Sequence, residues 1–380
     1  MPRAIVAGGG PVGLAVACAI RGFEVQVIEP SPPPSLSEGD PYDPRVLALS
    51  PGTRELLREL GAWERLDATR LAPVKRMEIF GDEGARLAFS ARPGASLAWI
   101  GEAGRLATAL RDQAESQGIA FHAQRARAFG GDAGAVWAEL DDGTRVEGDL
   151  LVGADGPDSA VRRDGRIAFT ERPYEETAVV AHFDVEREHG SVARQWFRAD
   201  GVLAWLPLPG KRVSIVWSAP NAHAETLAAE APDALERRVR DAGGAALGDM
   251  KLFSAVGRFP LRSIEVPEPI APGVALAGDA AHAIHPLAGQ GVNLGFRDAA
   301  VLAETLATLT ALERPGDLRV LRRYARARRE DVTALHFVTE GLDRLFASGG
   351  PGARVFRNLG LKLVDSQDWA KAALADRAMR

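Results

Sequence analysis

The hydrophobic and polar positions change period along the chain. Residues 3–7 (Arg-Ala-Ile-Val-Ala) are a short apolar run, as in a strand buried on both faces. A glycine-rich turn, residues 8–13, follows at once, and Leu14 to Arg21 is small and apolar like a packed helix. Gly22 ends it, and Glu24 to Ile28 alternates as a second strand. Strand, glycine turn, helix and strand in this order open a parallel, doubly wound sheet. A proline-rich loop at 30–44 separates it from helical spacing over Leu47 to Leu66. Met77 to Phe80 and Ala85 to Phe89 read as a hairpin around Asp82-Glu83-Gly84, and Gly104 to Gln117 as an amphipathic helix. Ala135 to Leu140 and Arg145 to Val152 read as a hairpin turning at Asp141-Asp142-Gly143. Residues 177–218 are strand-rich, Val274 to Ala277 is a buried strand, and helix dominates from Val292. The expected fold is α/β: a Rossmann-like nucleotide domain with an inserted antiparallel β-sheet domain and a helical C-terminus. Its expected pieces are 1–75, 98–165 and 265–350, with 76–97 and 166–264 as the insert and 351–380 as a C-terminal helical segment.

Composition narrows the chemistry. The 46 basic and 51 acidic residues give a net charge of −5, against a nucleic-acid partner. The single cysteine, Cys18, excludes a disulfide framework, a Cys-rich zinc site and a dithiol flavoenzyme. No apolar run reaches about 18 residues, and glycines interrupt the apolar N-terminus, so a cytoplasmic protein without a leader is expected. The outlying count is 40 glycines among 380 residues, and three clusters of them sit where strands end.

The first is Gly8-x-Gly10-x-x-Gly13. Gly8 permits a tight turn, Gly10 lets backbone approach a pyrophosphate, and Gly13 lets the helix pack on the sheet. Pro11 and Val12 open that helix, whose N-terminal amides favour an anion. Glu29, at the end of the second strand, can accept hydrogen bonds from a ribose; an acid there favours FAD or NAD over NADP. The second is Gly153-Ala154-Asp155-Gly156, although turn chemistry alone accounts for an Asp-Gly pair equally well. The third runs from Ala275 to Asp298: a buried strand delivers Gly278 and Asp279, and Gly289 and Gly291 flank a turn into a helix beginning Val292-Asn293.

In this order the three clusters resemble those of the FAD-dependent aromatic hydroxylases (group A flavoprotein monooxygenases), over nearly the whole chain. Tyr42 to Ser50, Leu60-Gly61-Ala62-Trp63 and His285 to Gly295 are similar to the ubiquinone-biosynthesis branch. Weaker matches are Gly257 to Leu261 and Arg357 to Leu361. The resemblance implies that Gly8, Gly10, Gly13 and Glu29 hold the ADP half of FAD. It puts Arg45, Arg105 and Asp279 at the pyrophosphate or ribityl chain, and Asp155-Gly156 in a second dinucleotide motif. It makes Pro286, Gly289, Gln290 and Gly291 the catalytic segment beside the isoalloxazine ring, with backbone amides near its N1–O2 edge. NAD(P)H is the implied co-substrate and O₂ the oxidant. A flavin C4a-hydroperoxide would hydroxylate a phenolic ring, that of a polyprenylated phenol on this branch. A hydroxylase of a small soluble aromatic and a non-catalytic FAD-binding accessory protein are the alternatives. No Trp-x-Trp-x-Ile-Pro segment suggests a halogenase.

Such a pocket must exclude water, and Trp196, Phe197, Trp205 and Trp217 are candidates for its lining. His182 is a candidate to face the substrate, with a satisfied core histidine as its other reading. His282 and His285, spaced i, i+3, lack partners for a metal site, and none is expected. Arg319, Arg322, Arg323, Arg326 and Arg329 share a helical face. It is either solvated or a contact with anionic lipid or an acidic partner, and the amphipathic stretch Val355 to Leu374 could cap the core or touch a bilayer. Peripheral association with the inner face of the membrane, a biosynthetic complex and a homodimer are all compatible with the pattern.

Overall fold

The computed structural model describes residues 1–32, 36, 39–81, 86–285 and 289–347. At its centre is a six-stranded sheet. Its order is Ile270–Ala271, Val274–Leu276, Leu150–Gly153, Arg3–Ala7, Glu24–Ile28 and Ala120–His122. All pairings are parallel except that of the edge strand Ile270–Ala271. Alternation along Arg3–Ala7 divides the core. Ala4 and Val6 pack with the helices Pro11–Ala19, Ala103–Ser116 and Gly291–Ala307. Ile5 and Ala7 pack with a three-stranded antiparallel sheet of Ala126–Gly131, Val136–Leu140 and Arg145–Gly148. Cys18 lies within the helical layer, where burial pushes its thiol up to about 12 and leaves it inert.

A nine-stranded sheet lies beside this core. Its path begins at His282–Ala283 and continues through Gly257–Glu265, Thr170–Val185, Arg212–Pro220, Gly201–Leu208, Val192–Arg198, Arg76–Phe80 and Arg86–Ser90, and the ninth strand, Met250–Leu252, pairs with Thr170–Val185 off this path. Odd-numbered residues of Thr170–Val185, such as Val179 and Phe183, pack with Trp205, Ile215 and Trp217 on the helices Asn221–Ala229 and Pro232–Ala242. The even-numbered face carries His182, whose Nε2 is 2.9 Å from the Asp43 carbonyl. That face therefore turns toward the first part of the chain.

Two local expectations need correction. The helix read over Leu47 to Leu66 is a strand, Val46–Leu49, a helix, Pro51–Leu60, and a short 3-10 turn. Ser50 caps the helix by accepting from the Thr53 amide, Pro51 fills its first position, and Gly61 ends it at φ 79°. The hairpin read over Ala135 to Val152 ends at Gly148. Leu150–Gly153 leaves it to pair with Arg3–Ala7, because a run buried on both faces belongs inside a parallel sheet. The hairpin Arg76–Phe80 with Arg86–Ser90 is present, but its turn at 82–84 lies outside the described residues, as do Pro286 and the segment 351–380.

Candidate functional site

The first glycine cluster is built by close approach. A Cβ on Gly8, at φ 106°, would lie 2.2 Å from the Ala154 carbonyl oxygen, and one on Gly13 would lie 2.0 Å from that of Gly8. Strand, helix and second cluster can meet only without those side chains. Gly10 is different: a Cβ there would meet nothing within 4 Å, so no packing explains it. Gly10 begins the helix without a side-chain cap, Pro11 has no N–H, and the first intrahelical bond is Leu14 N–H to Gly10. The Val12 and Gly13 amides are left without intrahelical acceptors. Glu29 accepts from the Gly9 amide at 2.7 Å and the Ser31 amide at 2.8 Å, one bond per oxygen, leaving lone pairs for a ligand hydroxyl.

The second cluster is tied up by its own chain. Asp155 accepts from Ser159 Oγ at 2.5 Å and from the Ala160 and Val161 amides at 2.7 and 3.1 Å, capping the helix Ala160–Asp164. The carboxylate thus caps this helix, with one bond on Oδ1 and two on Oδ2, and Gly156, at φ 80°, serves the turn. The sequence reading missed Arg162. It is buried, donating to Ala280 at 2.8 Å and Pro157 at 2.7 Å, and it joins the second cluster to the third. Burial pulls its guanidinium below the usual value.

The third cluster is held from below by Asp298. Oδ2 accepts from the Gly278 amide at 2.8 Å and bonds His282 Nε2 at 2.7 Å, while Oδ1 takes Arg328 Nε at 2.7 Å. Burial would raise this carboxyl, but His282 and Arg328 outweigh it and hold it below the usual range. An acid inside the small, apolar helix sequence Gly291 to Ala307 was the available signal, since a buried carboxylate requires partners. Arg328, which the sequence pattern did not single out, is buried, whereas Arg319, Arg322, Arg326 and Arg329 are exposed.

Asp279 is open to solvent, yet it is so crowded by protein that desolvation raises its carboxyl; His282, Arg262 and Arg45 counter in part. Exposed Arg45 acts on that carboxyl, and its carbonyl accepts from the Ala103 amide. Arg105 is held by Glu102 at 3.2 Å; Glu102 also takes Arg70 at 2.8 Å and the Asp43 amide at 2.8 Å. Beyond Asp279, Gly289 adopts φ 59°, and a Cβ on it would lie 3.4 Å from that of Ala48. The helix from Gly291 has no side-chain cap at Gln290, and its first bond is Leu294 N–H to Gln290. The Gly291, Val292 and Asn293 amides thus lack intrahelical acceptors. The Asn293 side chain needs correction: it donates to Ala48 at 2.8 Å and accepts from the Ser50 amide and Thr53 Oγ1, clamping strand and helix rather than reaching a ligand.

Residues 2–336 match the model of the FAD binding domain family. The chain belongs to this family. It is 33% identical over 375 residues to the 3-demethoxyubiquinol 3-hydroxylase of Escherichia coli, covering 95% of this chain and 94% of that protein. It is 31% identical over 381 residues to the ubiquinone hydroxylase UbiL of Rhodospirillum rubrum, covering 99% and 89%. The structure of Klebsiella pneumoniae HpxO complexed with FAD and uric acid superposes with TM-score 0.76 at 20% identity, over 100% of this chain and 97% of that one, a likeness of fold.

An FAD-dependent hydroxylase needs a cradle for FAD, and these residues fit one. Gly10 opens onto space that no atom of the described residues fills, with the Val12 and Gly13 amides beside it for a pyrophosphate. Glu29 keeps acceptor capacity for a ribose, and Asp279 is solvent-accessible with Arg45 near.

The substrate candidates separate. Trp205 and Trp217 are fully buried, and Trp196 packs against them, all on the face that meets helices Asn221–Ala229 and Pro232–Ala242. Trp196 is edge-on to Trp205 at 4.8 Å and stacked on Phe80 at 5.3 Å. The structure corrects their expected pocket role to core, because Arg194, Trp196 and Arg198 pair with the Trp205 side of the neighbouring strand. Phe197 shares the face of His182. His182 is itself buried against Tyr42 and Phe253, and desolvation lowers its pKa, so it is a neutral strut to Asp43. His282 and His285 bond different carboxylates, Asp298 and Glu176. Among the described residues no group of three or more His, Cys, Asp or Glu is placed to hold a metal.

Proposed function

We propose that this protein hydroxylates the ring of a polyprenylated phenol in ubiquinone biosynthesis. The observation that supports the substrate class is a half-buried apolar cluster contributed by both halves of the molecule. Val46, Ala48, Leu97 and Ala98 from the first part and Met77, Leu206 and Phe253 from the β-rich part pack, half-buried, around Val74, Ile100, Ala193 and Leu208. This lining reaches Gly289 through Ala48. An apolar tail would gain about 0.8 kcal/mol per buried CH₂ in such surroundings. A small polar aromatic would leave most of that surface unused.

FAD, when bound, supplies the redox chemistry, taking electrons from NAD(P)H and activating O₂. The chain's own residues bind, orient and exclude water. The free amides of Gly291, Val292 and Asn293, at the positive end of a 17-residue helix, favour negative charge in front of them. On this reading the apolar cluster keeps water from the reacting ring. On this reading 1–75, 98–165 and 265–350 hold the cofactor, and 76–97 with 166–264 cover the substrate. Pro286, Gly289, Gln290 and Gly291 border the reacting ring.

No helix among the described residues is long and apolar enough to cross a membrane. The exposed arginines at 319, 322, 326 and 329, with Phe337 at 79% exposure, support peripheral contact with the inner face of a membrane, from which a prenylated substrate would enter. The test is turnover. Purified protein loaded with FAD should oxidise NAD(P)H faster with a polyprenylated phenol, and less so with the same phenol lacking its tail. Equal stimulation by both would overturn the substrate class, and stimulation by neither would overturn the enzyme.

A further inference from the structure

The strand Thr170–Val185 interrupts its pairing with Gly257–Glu265. The ladder stops at Pro173 opposite Arg262 and resumes at Thr177 opposite Pro260. Tyr174, Glu175 and Glu176 thus oppose Leu261 alone, forming a bulge. Glu175 sits at φ 56°, in the left-handed region, which costs a non-glycine residue about 1–2 kcal/mol. Strain of this kind persists where the surroundings over-determine it, and here it turns two side chains onto one imidazole. Glu176 Oε2 bonds His285 Nε2 at 3.0 Å, and the Tyr174 ring stands edge-on to His285 at 4.8 Å. His285 is 1% exposed and its Nδ1 has no partner among the described residues, so the bond at Nε2 holds its side chain. The same segment joins the sheet by a ladder of only two pairs, Ile264 with Ala283 and Glu265 with His282.

We infer that the Glu176–His285 pair is a positioning device for the hydroxylation proposed above, on which this inference rests. It fixes segment 282–285, and with it the start of the chain leading to Gly289 and Gly291, relative to the substrate sheet. In the coupled reaction NAD(P)H, a proton, O₂ and the phenol's ring C–H give NAD(P)⁺, a new ring C–OH and water. When ring and oxidant are misaligned, the same two electrons reduce O₂ to H₂O₂ and no C–O bond forms. The pair acts through backbone placement and takes no proton from substrate.

The experiment compares Glu176→Ala and Glu176→Gln with wild type as holoenzymes, using a polyprenylated phenol in detergent micelles. It measures product and H₂O₂ per NAD(P)H, FAD affinity, and amide exchange over residues 280–285 with and without FAD. Glu176→Ala should speed exchange there about tenfold and lower product per NAD(P)H about tenfold. Its FAD affinity should stay within about twofold. Gln keeps an acceptor for Nε2–H, so Glu176→Gln should stay near wild type in both. Wild-type exchange and coupling in Glu176→Ala would overturn the inference, as would a Gln variant failing as badly as Ala. If wild type does not turn over the phenol, the hydroxylase reading falls, and the exchange arm alone then upholds or overturns the pair's positioning role.

Discussion

Gly10 and Gly13 belong to one motif, yet they predict opposite outcomes when changed to alanine. At Gly13 a Cβ would lie 2.0 Å from the Gly8 carbonyl oxygen and 3.2 Å from the Ala154 Cβ. Backbone must move to admit it, and overpacking of this kind costs about 1–3 kcal/mol. Gly13→Ala should therefore weaken the FAD-free protein and, by shifting the helix, its FAD binding too. At Gly10 the added methyl meets no atom of the described residues within 4 Å, and the backbone at φ −72°, ψ 174° suits any residue. Gly10→Ala should stabilise the FAD-free chain by about 0.4–1 kcal/mol, because the unfolded state loses freedom. In a chain of this size that is a rise in melting temperature of roughly 1 °C. The methyl points where a pyrophosphate would approach, so FAD affinity should fall about 10- to 100-fold. Thermal melts of FAD-free protein and flavin fluorescence titrations measure the two effects separately. A Gly10→Ala protein that melts early, or that binds FAD as wild type does, would refute this division of labour.

Other outcomes follow from the same geometry. Asp298→Ala strands buried Arg328 and should cost about 3–5 kcal/mol, seen as a lower denaturation midpoint. Asp298 is held below its unfolded value of about 3.9, so the stability it confers is present above that pH and is lost as pH falls through the folded value. The melting gap between wild type and Asp298→Asn should accordingly close in acid, and a gap constant with pH would count against the network. Asp279 shifts the other way, so its ionisation opposes folding as pH rises past its unfolded value. Asp279→Asn should melt higher than wild type at neutral pH without FAD while binding FAD more weakly. Trp217→Phe should lower stability by about 1–2 kcal/mol and leave KM for the phenol unchanged, since Trp217 faces the helices; a raised KM would return it to the pocket.

The glycine positions made the fold legible because each is a steric demand that sequence spacing exposes directly. Periodicity located the first strands for the same reason. It failed at Leu47 to Leu66, where an apolar run spans a strand and a helix and only Ser50-Pro51 marks the change. The tryptophans were misplaced because composition says that a residue is apolar, not which sheet face it occupies; a one-residue register decides that. Asp155 and Asn293 looked like ligand groups because their types are polar and their context glycine-rich, yet both bond backbone and a hydroxyl of the protein itself, Ser159 Oγ and Thr53 Oγ1. Arg162, Asp298 and Arg328 went unread because their partners lie 118, 20 and 30 residues away in sequence.

The edge strand His282–Ala283 has a consequence for recombination. It belongs by sequence to the third glycine cluster but by hydrogen bonding to the nine-stranded sheet. A chimera cut only at the ends of 166–264 would graft a relative's sheet onto a foreign edge and separate Glu176 from its own His285. Such hybrids should fold poorly unless 282–285 travels with the graft. The two halves of the molecule are therefore not interchangeable cassettes, and specificity is better exchanged by point changes along the shared apolar lining.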